Sequence, residues 1–185
     1  MLAYPTQAIN DLVKIDANHA NLVRALVMCA KPARILELGF GSGESTRFIL
    51  AGLNYNEKPF EYVLADNWMD FGGVQPQLTR TPEFSAIKFV TSDEEEFVKG
   101  DHGTFDFIMS DADHFRTQLW FEHVYQNLLN RGGILIYHDV TNPQFPNLLR
   151  VYTDCIRNGY DHAMFNGSSR REERCGRGLL AIFKH

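Results

Sequence analysis

The chain has few cysteines, no long apolar run and no excess of positive charge, and each absence argues against a class of protein. Its three cysteines, Cys29, Cys155 and Cys175, are far apart and odd in number. They form neither a disulfide framework nor a zinc finger, so we expect a reducing cytoplasm as the location. A formal charge of −5 gives no electrostatic reason to expect nucleic acid as a partner. No apolar run approaches the length of a membrane span, so we expect no membrane association.

The first residues also lack the pattern of a targeting signal. Residues 1–7 show no basic region followed by an apolar core, so we expect no signal peptide. A chain of 185 residues with 44% apolar and 22% charged residues has the length and composition for one globular domain with a substantial core. We therefore expect a single domain over residues 1–185, in which residues 1–30 form an N-terminal helical segment.

Helical and strand patterns alternate along the chain. The predicted strands are residues 34–38, 62–65, 87–91, 105–109, 134–137, 161–165 and 178–183. The predicted helices are residues 6–30, one ending near residue 53, a short one opened by a capping box of Ser92 and Glu95, 116–130 before a glycine stop at Gly132 and Gly133, and 145–158. Strands separated by helices become parallel neighbours through right-handed crossovers. The sequence therefore predicts an α/β fold, a doubly wound and mostly parallel seven-stranded sheet with a C-terminal antiparallel hairpin.

The most informative segment is the turn that follows the first predicted strand. The strand carries one acid near its end, Glu37, and three glycines follow at alternate positions, Gly39, Gly41 and Gly43. Ser45 then lies at the start of the next predicted helix. In an open α/β sheet a ligand lies beyond the carboxyl ends of the strands, and glycine lets the backbone approach it. A dinucleotide fingerprint would place its last glycine where this chain has Glu44. A second acid at a helix start disfavours a pyrophosphate, so the turn favours a ligand of another kind.

Polar residues also follow the second and third predicted strands. Asp66 either accepts hydrogen bonds from both hydroxyls of a ribose or only begins the following loop in an Asx turn. Asn67 and Trp68 come next, and Trp68 either covers an adenine face or packs against the edge of the sheet. Ser92 and Asp93 follow the third strand, where they either reach an adenine amino group or cap the next helix.

Two acids follow the fourth and fifth predicted strands, which we expect to be neighbours. Asp111 and Asp139 would then face each other, and facing carboxylates require a cation, a proton or a hydrogen-bond network between them. Mg²⁺ is one resolution, with His138 or Asn142 as a further ligand, and an acid network that only positions the loops is the other. His114 lies close to Asp111 and can take a proton from a substrate hydroxyl near neutral pH.

The other charged and titratable features have weaker settings. The remaining histidines, expected at the surface or in packing, are His19, His102, His123, His162 and His185. The mixed charge run at residues 170–174 is typical of a solvated loop, and capture of an anionic substrate is the minority interpretation.

These motifs together resemble a known family. Glu37 and the three alternate glycines resemble motif I of the class I S-adenosylmethionine (SAM) methyltransferases. Nearly the whole chain is similar to small O-methyltransferases of the catechol and caffeoyl-CoA groups and a related bacterial set. The resemblance implies that Glu37 holds the methionine end of SAM and that the glycines touch its sugar and amino-acid parts. It also implies that Asp66 binds the ribose and that Asn67, Trp68, Ser92, Asp93 and Asp111 line the cofactor site.

The resemblance also implies a reaction centre at the ends of the fourth and fifth predicted strands. Asp111 and Asp139 would be metal ligands, and His114 falls where catechol-type members place a basic lysine and related sugar and macrolide enzymes use a histidine. Catechol-type members have an Asp-Asn pair after the fifth strand, whereas this chain has Asp139 and Val140. The third protein ligand is therefore His138 or Asn142.

The function implied is SAM-dependent methyl transfer to a hydroxyl of a small-molecule acceptor, with or without Mg²⁺ or another divalent cation. Asp111 and His114 would be its catalytic residues, and the stretch 67–82 a lid over the ligands. The alternatives are a protein that binds SAM or S-adenosylhomocysteine (SAH) without transfer, another SAM-fold transferase such as an aminopropyl transferase, and a nicotinamide dehydrogenase. Helix 6–30 packs either on its own sheet or on a second copy in a homodimer.

Overall fold

The computed structural model describes residues 17–166 and 177–185. Its α-helices, in chain order, are α1 (Ala17–Ala30), α2 (Glu44–Asn56), α3 (Glu94–Lys99), α4 (Phe121–His123) and α5 (Leu148–Asn158). Of these, α4 is only a single turn. The strands are β1 (Arg34–Leu38), β2 (Glu61–Asp66), β3 (Ile87–Thr91), β4 (Phe105–Ser110), β5 (Leu129–Tyr137), β6 (Asp161–Asn166) and β7 (Gly178–Phe183). Residues 1–16, which hold much of the predicted helix 6–30, and the charged loop 167–176 lie outside the described residues.

The strands form one seven-stranded sheet in the order β3-β2-β1-β4-β5-β7-β6. The first five strands in this order run parallel to one another. Strand β7 is antiparallel to both β5 and β6. This confirms the predicted doubly wound sheet with its C-terminal hairpin. The strand order reverses between β1 and β4, and ligands of such sheets bind at this reversal, beyond the carboxyl ends of the strands.

The sheet carries an apolar layer on each face because its central strands β1 and β4 have apolar residues pointing to both faces. Ile35 and Phe107 point to the face covered by α1 and α2. Leu36 and Ile108 point to the opposite face, where Phe97, Phe121 and other residues of the second half of the chain cover them. Continuous apolar strands of this kind are typical of a parallel sheet buried on both sides. Among residues 17–166 and 177–185, no helix combines the length and apolar character that crossing a bilayer demands.

The prediction of one helix over residues 116–130 is wrong. The helical segment ends earlier than predicted, and it is not a regular α-helix. The chain forms a 3₁₀ turn (Thr117–Leu119), the α4 turn and then a wider π turn (Val124–Leu128). Lys184 of the last strand region closes this segment, since its Nζ donates to the carbonyls of Tyr125, Gln126 and Leu129 at 2.8 to 2.9 Å. Carbonyls at a helix end need such donors, and a lysine can supply them from a distant strand.

The two glycines expected to stop that helix belong to β5 instead. The pairing of β4 with β5 shifts register between Phe105 and Phe107, which face Leu129 and Ile134. The residues in between bulge out of the ladder, and Gly132 adopts a φ of +80°. Glycine is the residue that such a bulge favours, so the signal for a break was present but marked a strand irregularity.

The short helix α3 begins one residue later than the predicted capping box. Asp93 is the N-cap, and its Oδ1 accepts a hydrogen bond from the Glu95 N–H at 3.0 Å. Ser92 Oγ instead donates to the Asp93 carbonyl at 3.0 Å. Aspartate and serine are comparable N-caps, so the choice between adjacent candidates depends on where β3 ends.

Candidate active site

A cavity of about 350 Å³ opens beyond the carboxyl ends of β1 to β4, at the reversal of strand order. Eight residues singled out from the sequence line it: Gly39, Gly41, Asp66, Asn67, Ser92, Asp93, Asp111 and His114. Met69 and Asp70, from the first turn of the stretch 67–82, line it as well. Its volume lies within the range of small-molecule sites.

The glycine turn is pressed against the loop that follows β4. A Cβ on Gly39 would lie 2.6 Å from the Asp111 carbonyl oxygen, and its φ is +91°. Gly43 begins α2 with a φ of +73°, and a Cβ there would lie 2.7 Å from the ring of Phe40. These two positions therefore require glycine, and the turn leaves its backbone open to the cavity.

Glu37 lies beneath the turn and is not among the residues that line the cavity. Its Oε1 accepts from Ser45 Oγ at 2.6 Å, and its Oε2 accepts from Thr46 Oγ1 at 2.9 Å and from the Tyr62 hydroxyl. Burial raises the pKa of Glu37 to about 7, although the three hydroxyl donors oppose the rise. Glu37 and Ser45 thus join β1, β2 and the start of α2, and the structure does not bring them to the cavity.

Asp66 fixes the turn from the neighbouring strand and also lines the cavity. Its Oδ2 accepts from the Phe40 N–H at 2.7 Å, and its Oδ1 accepts from the Trp68 N–H. Burial raises the pKa of Asp66, and the two backbone donors partly offset this. A carboxylate has about four acceptor sites, so both oxygens can still accept from a ligand's hydroxyls.

Of the two positions considered for Trp68, the structure shows packing. The side chain is 1% exposed, contacts Phe40 and Phe89, and donates from Nε1 to Thr91 Oγ1 at 2.9 Å. Trp68 adopts a φ of +60°, which turns the chain so that Asn67 and Met69 face the cavity. The ring supports the turn from behind and does not line the cavity.

The acids after β4 and β5 meet in a cluster with two histidines. His114 Nε2 lies 3.0 Å from Asp111 Oδ1 and 3.6 Å from Asp139 Oδ2. His138 Nδ1 lies 3.4 Å from the same Asp111 oxygen and 3.7 Å from the same Asp139 oxygen. Arg177 Nε approaches the other Asp139 oxygen at 3.6 Å. Asp111 and His114 line the cavity, whereas His138 and Asp139 lie behind them.

The opposite charges in this cluster shift its pKa values strongly. Burial alone would raise the pKa of Asp111, but His138 and His114 hold it far below its usual range. Burial opposes protonation of His114, yet Asp111 and Asp139 raise its pKa to about 8. The pKa of His138 is raised by the same two acids against the effect of burial. Perturbed groups of this kind, gathered beside a cavity, are typical of functional sites.

The cluster also has the donor set of a divalent cation. Ligand atoms of Asp111, His138 and Asp139 lie within 4.8 Å of one another. Two buried atoms of this set, His138 Nδ1 and Asp139 Oδ1, form no hydrogen bond with the described residues. Asp139 also adopts a φ of +60°, an uncommon conformation that persists only where surrounding contacts enforce it. Asn142, the alternative ligand, instead accepts from the Gln144 N–H at 3.0 Å.

A buried acid that sequence reasoning missed, Glu94, holds the loop after β4 in place. Glu94 accepts from the Asp113 N–H at 2.8 Å and from side chains at the end of β4 and in the turn that follows the loop. Those side-chain donors are Ser110 Oγ, Thr117 Oγ1 and Trp120 Nε1, at 2.9 to 3.2 Å. Glu94 belongs to a run of four acids, Asp93 to Glu96. Such a run is typical of a solvated helix start, so the sequence gives no sign that Glu94 is buried.

Three more contributors lay outside the sequence predictions. His19, expected in packing or at the surface, is buried, and its Nδ1 lies 3.2 Å from His138 Nε2. Arg177 follows the charge run, and Phe145 stacks on His114 with ring centroids 4.4 Å apart. These residues are distant in the chain from the groups they contact, so no local pattern marks them.

Several known structures share this fold over nearly the whole chain. An O-methyltransferase from Bacillus cereus in complex with SAH has a TM-score of 0.75 at 16% identity, covering 100% of this chain and 94% of that one. The O-methyltransferase TomG from Streptomyces achromogenes in complex with SAM has a TM-score of 0.73 at 14% identity, covering 97% and 87%. The SAH-bound methyltransferase PaMTH1 from Podospora anserina has a TM-score of 0.69 at 16% identity, covering 99% and 83%.

The sequence comparison defines the class. The family model described as a methyltransferase domain matches residues 36–140, more than half of the chain. The match runs from the strand before the glycine turn to the residue after Asp139. No curated protein matches the sequence significantly. The chain belongs to this family of methyltransferase domains.

Proposed function

We propose that the protein transfers a methyl group from SAM to a hydroxyl of a small-molecule acceptor. The observation that carries this proposal is the cavity itself, which joins a glycine turn and Asp66 on one side to Asp111 and His114 on the other. The first set has the chemistry to bind a nucleoside, and the second has the chemistry to move a proton. Membership of a methyltransferase family supports a transfer reaction over simple binding.

The nucleoside would lie over the glycine turn. Asp66 would accept from the ribose hydroxyls with its free acceptor sites, and Gly39 and Gly41 would touch the ligand through their backbones. Asp93 and Ser92 line the far end of the cavity and would face the base. SAM supplies a methyl carbon already activated by its sulfonium, so the protein contributes mainly alignment and exclusion of water. Glu37 would act indirectly here, because it holds the start of α2 beneath the turn.

The acceptor would lie beside His114. His114 and Asp111 line the cavity next to Phe115 and Phe145, which give it an apolar wall. In its neutral form, which predominates above its pKa of about 8, His114 would remove the hydroxyl proton, and its hydrogen bond with Asp111 would orient the imidazole and stabilise the imidazolium formed. Phe145, stacked on the His114 ring, would keep that ring in place.

A divalent cation fits the acid and histidine cluster. Asp111, Asp139 and His138 would hold it, and a mixed carboxylate and imidazole set suits Mn²⁺ or Zn²⁺ as well as Mg²⁺. When bound, such an ion lowers the pKa of a coordinated hydroxyl. His138 and Asp139 lie behind Asp111, so Asp111 is the member of the set that also reaches the cavity.

Two variants test the division of roles. We expect Asp66→Ala to weaken SAM binding by about 10- to 100-fold, since it removes hydrogen bonds to a charged acceptor. We expect His114→Gln to leave SAM affinity unchanged and to lower kcat by about 100-fold, the scale of general base catalysis. Calorimetry with SAM gives the affinity, and transfer of a labelled methyl group to a panel of phenols and alcohols gives the turnover.

The outcomes separate the proposed activity from its alternatives. Equal loss of SAM affinity in both variants would contradict the assignment of His114 to the acceptor side. SAM binding by the wild type with no labelled product from any acceptor would favour a binding protein without transfer. Absence of SAM binding at millimolar concentration would remove the proposal altogether.

A further inference from the structure

The pair of buried histidines behind the active site joins α1 to the tip of β5. His19 Nδ1 lies 3.2 Å from His138 Nε2, and the two rings meet edge to face, with planes at 83° and centroids 5.3 Å apart. Each residue is 2% exposed. The contact spans 119 residues of sequence and brings a helix that lies outside the cavity lining to the residue behind Asp111.

Only one nitrogen of His138 faces the acid cluster. Its Nδ1 lies 3.4 Å from Asp111 and 3.7 Å from Asp139, while Nε2 points away to His19. Rotating the ring by half a turn about its Cβ–Cγ bond would replace Nδ1 with a carbon and leave both acids without this partner. Since a buried nitrogen without a hydrogen bond costs about 1–3 kcal/mol, the bond at Nε2 selects the ring orientation.

The effect of this orientation reaches the cavity in two steps. His138 Nδ1 contacts Asp111 Oδ1, and the same oxygen lies 3.0 Å from His114 Nε2. A displaced His138 ring would release Asp111 on its buried side and loosen the hydrogen bond that aims His114. Ring nitrogens remote from a reacting or ligating atom commonly have this orienting role, and loss of the partner lowers affinity or activity by about 10- to 100-fold.

We propose that His19 is a positioning residue, which holds His138 so that its Nδ1 faces Asp111 and Asp139 and thereby orients His114. Its kinetic effect rests on the proposed methyl transfer, whereas its effect on the His138 ring does not. The helix α1 is thus part of the support of the reaction centre, in addition to covering the sheet.

A matched pair of variants at position 19 tests the role. His19→Asn keeps a polar atom on Cγ, where Nδ1 is attached, and that amide can accept or donate. His19→Leu has a similar branch without any polar atom. We expect kcat to fall by about 10- to 100-fold in His19→Leu and to recover to within about threefold of the wild type in His19→Asn. SAM affinity should stay unchanged in both, because His19 is not among the residues that line the cavity.

The ring itself provides a readout that does not depend on methyl transfer. The imidazole ¹⁵N resonances of His138, assigned by their absence in His138→Gln, should shift in His19→Leu and return towards the wild-type values in His19→Asn. Unchanged resonances in a folded His19→Leu variant would overturn the proposal. Equal loss of kcat in both variants with equal thermal stability would also overturn it. If the wild type lacks transferase activity, the resonances alone still decide the positioning role, while the proposed function fails separately.

Discussion

Two acids near the tips of neighbouring strands, Glu37 on β1 and Asp111 just beyond β4, show how the neighbours of a carboxyl group can shift its pKa in opposite directions. Burial raises the pKa of each carboxyl group. Around Glu37 the partners are neutral hydroxyls, and the pKa rises to about 7. Around Asp111 the partners are two imidazoles, and the pKa falls far below its usual range. The charge of the neighbours therefore decides the state of each acid.

One of these acids supports the glycine turn from beneath, and the other lines the cavity. Glu37 is wholly buried, bonded to hydroxyls of β2 and α2, and set beneath the turn. Asp111 keeps about one-fifth of its side chain exposed and stands in the cavity wall with His114. Motif resemblance implies ligand contacts for both acids, whereas only Asp111 lines the cavity.

The largest expected effect comes from neutralising each acid without changing its shape. We expect Asp111→Asn to lower kcat by about 100- to 1,000-fold and Glu37→Gln to change it by less than about tenfold, given the scale of proton-transfer catalysis. The physical reason is that Asp111 contacts His114, while Glu37 contacts only hydroxyls of the scaffold. Labelled-methyl transfer at saturating SAM measures both. A Glu37→Gln variant that folds, binds SAM and loses as much turnover as Asp111→Asn would break the comparison.

The next effect is a pH dependence of stability with opposite sign for the two acids. The pKa of Glu37 is raised from 4.5 to about 7, so its contribution to stability is present at low pH and is lost as the pH rises through about 7. Relative to Glu37→Gln, the wild type should lose about 3 kcal/mol of unfolding free energy between pH 4 and pH 8. The lowered pKa of Asp111 works the other way, and its contribution is lost as the pH falls.

Urea denaturation of the wild type and the two variants across this pH range checks the sign. The stability of the wild type relative to Glu37→Gln should fall as the pH rises, and the stability advantage of the wild type over Asp111→Asn should shrink as the pH falls. Parallel curves for all three proteins would show that neither environment is as described.

The smallest effect sharpens the account of the Glu37 environment. Removing one donor by Ser45→Ala or Thr46→Val should cost about 1 kcal/mol of unfolding free energy each, the typical worth of one hydrogen bond. Because both hydroxyls lower the pKa of Glu37, either change should also steepen the loss of stability with rising pH. Denaturation at pH 5 and pH 8 measures both effects. If the loss of unfolding free energy is equal at the two pH values, the two hydroxyls do not affect the pKa of Glu37.

Features carried by local patterns were predictable from the sequence. Apolar strands, the glycine turn and the breaks between elements predicted a mostly parallel sheet with a C-terminal hairpin, and parallel strands bring Asp66, Asp111 and Asp139 to one edge. The same reasoning failed where a distant residue decides the outcome. The helix before β5 ends early because Lys184 binds its carbonyls, and Gly132 belongs to a bulge defined by pairing with β4.

The site divides in the same way. Its position and most lining residues follow from strand ends, but the environment of each acid depends on contacts across the chain. His138 was considered from its own position, whereas its partner His19 lies 119 residues away and its neighbour Arg177 follows the last loop. Two alternatives stayed open for Trp68, because an aromatic ring after a strand can face either the ligand or the sheet. Packing against Phe40 and Phe89 determines that this ring faces the sheet.

The close approach of Gly39 to the Asp111 carbonyl has a practical consequence for redesign of cofactor preference. With 2.6 Å between that oxygen and any added Cβ, even alanine at position 39 must push the two loops apart. Under the proposed function, the donor side and the acceptor side of the cavity are thus mechanically coupled at this point. Under the same proposal, room for a bulkier sulfonium analogue would be made on the side of Met69 and Asp70, two exposed residues that line the cavity away from this contact.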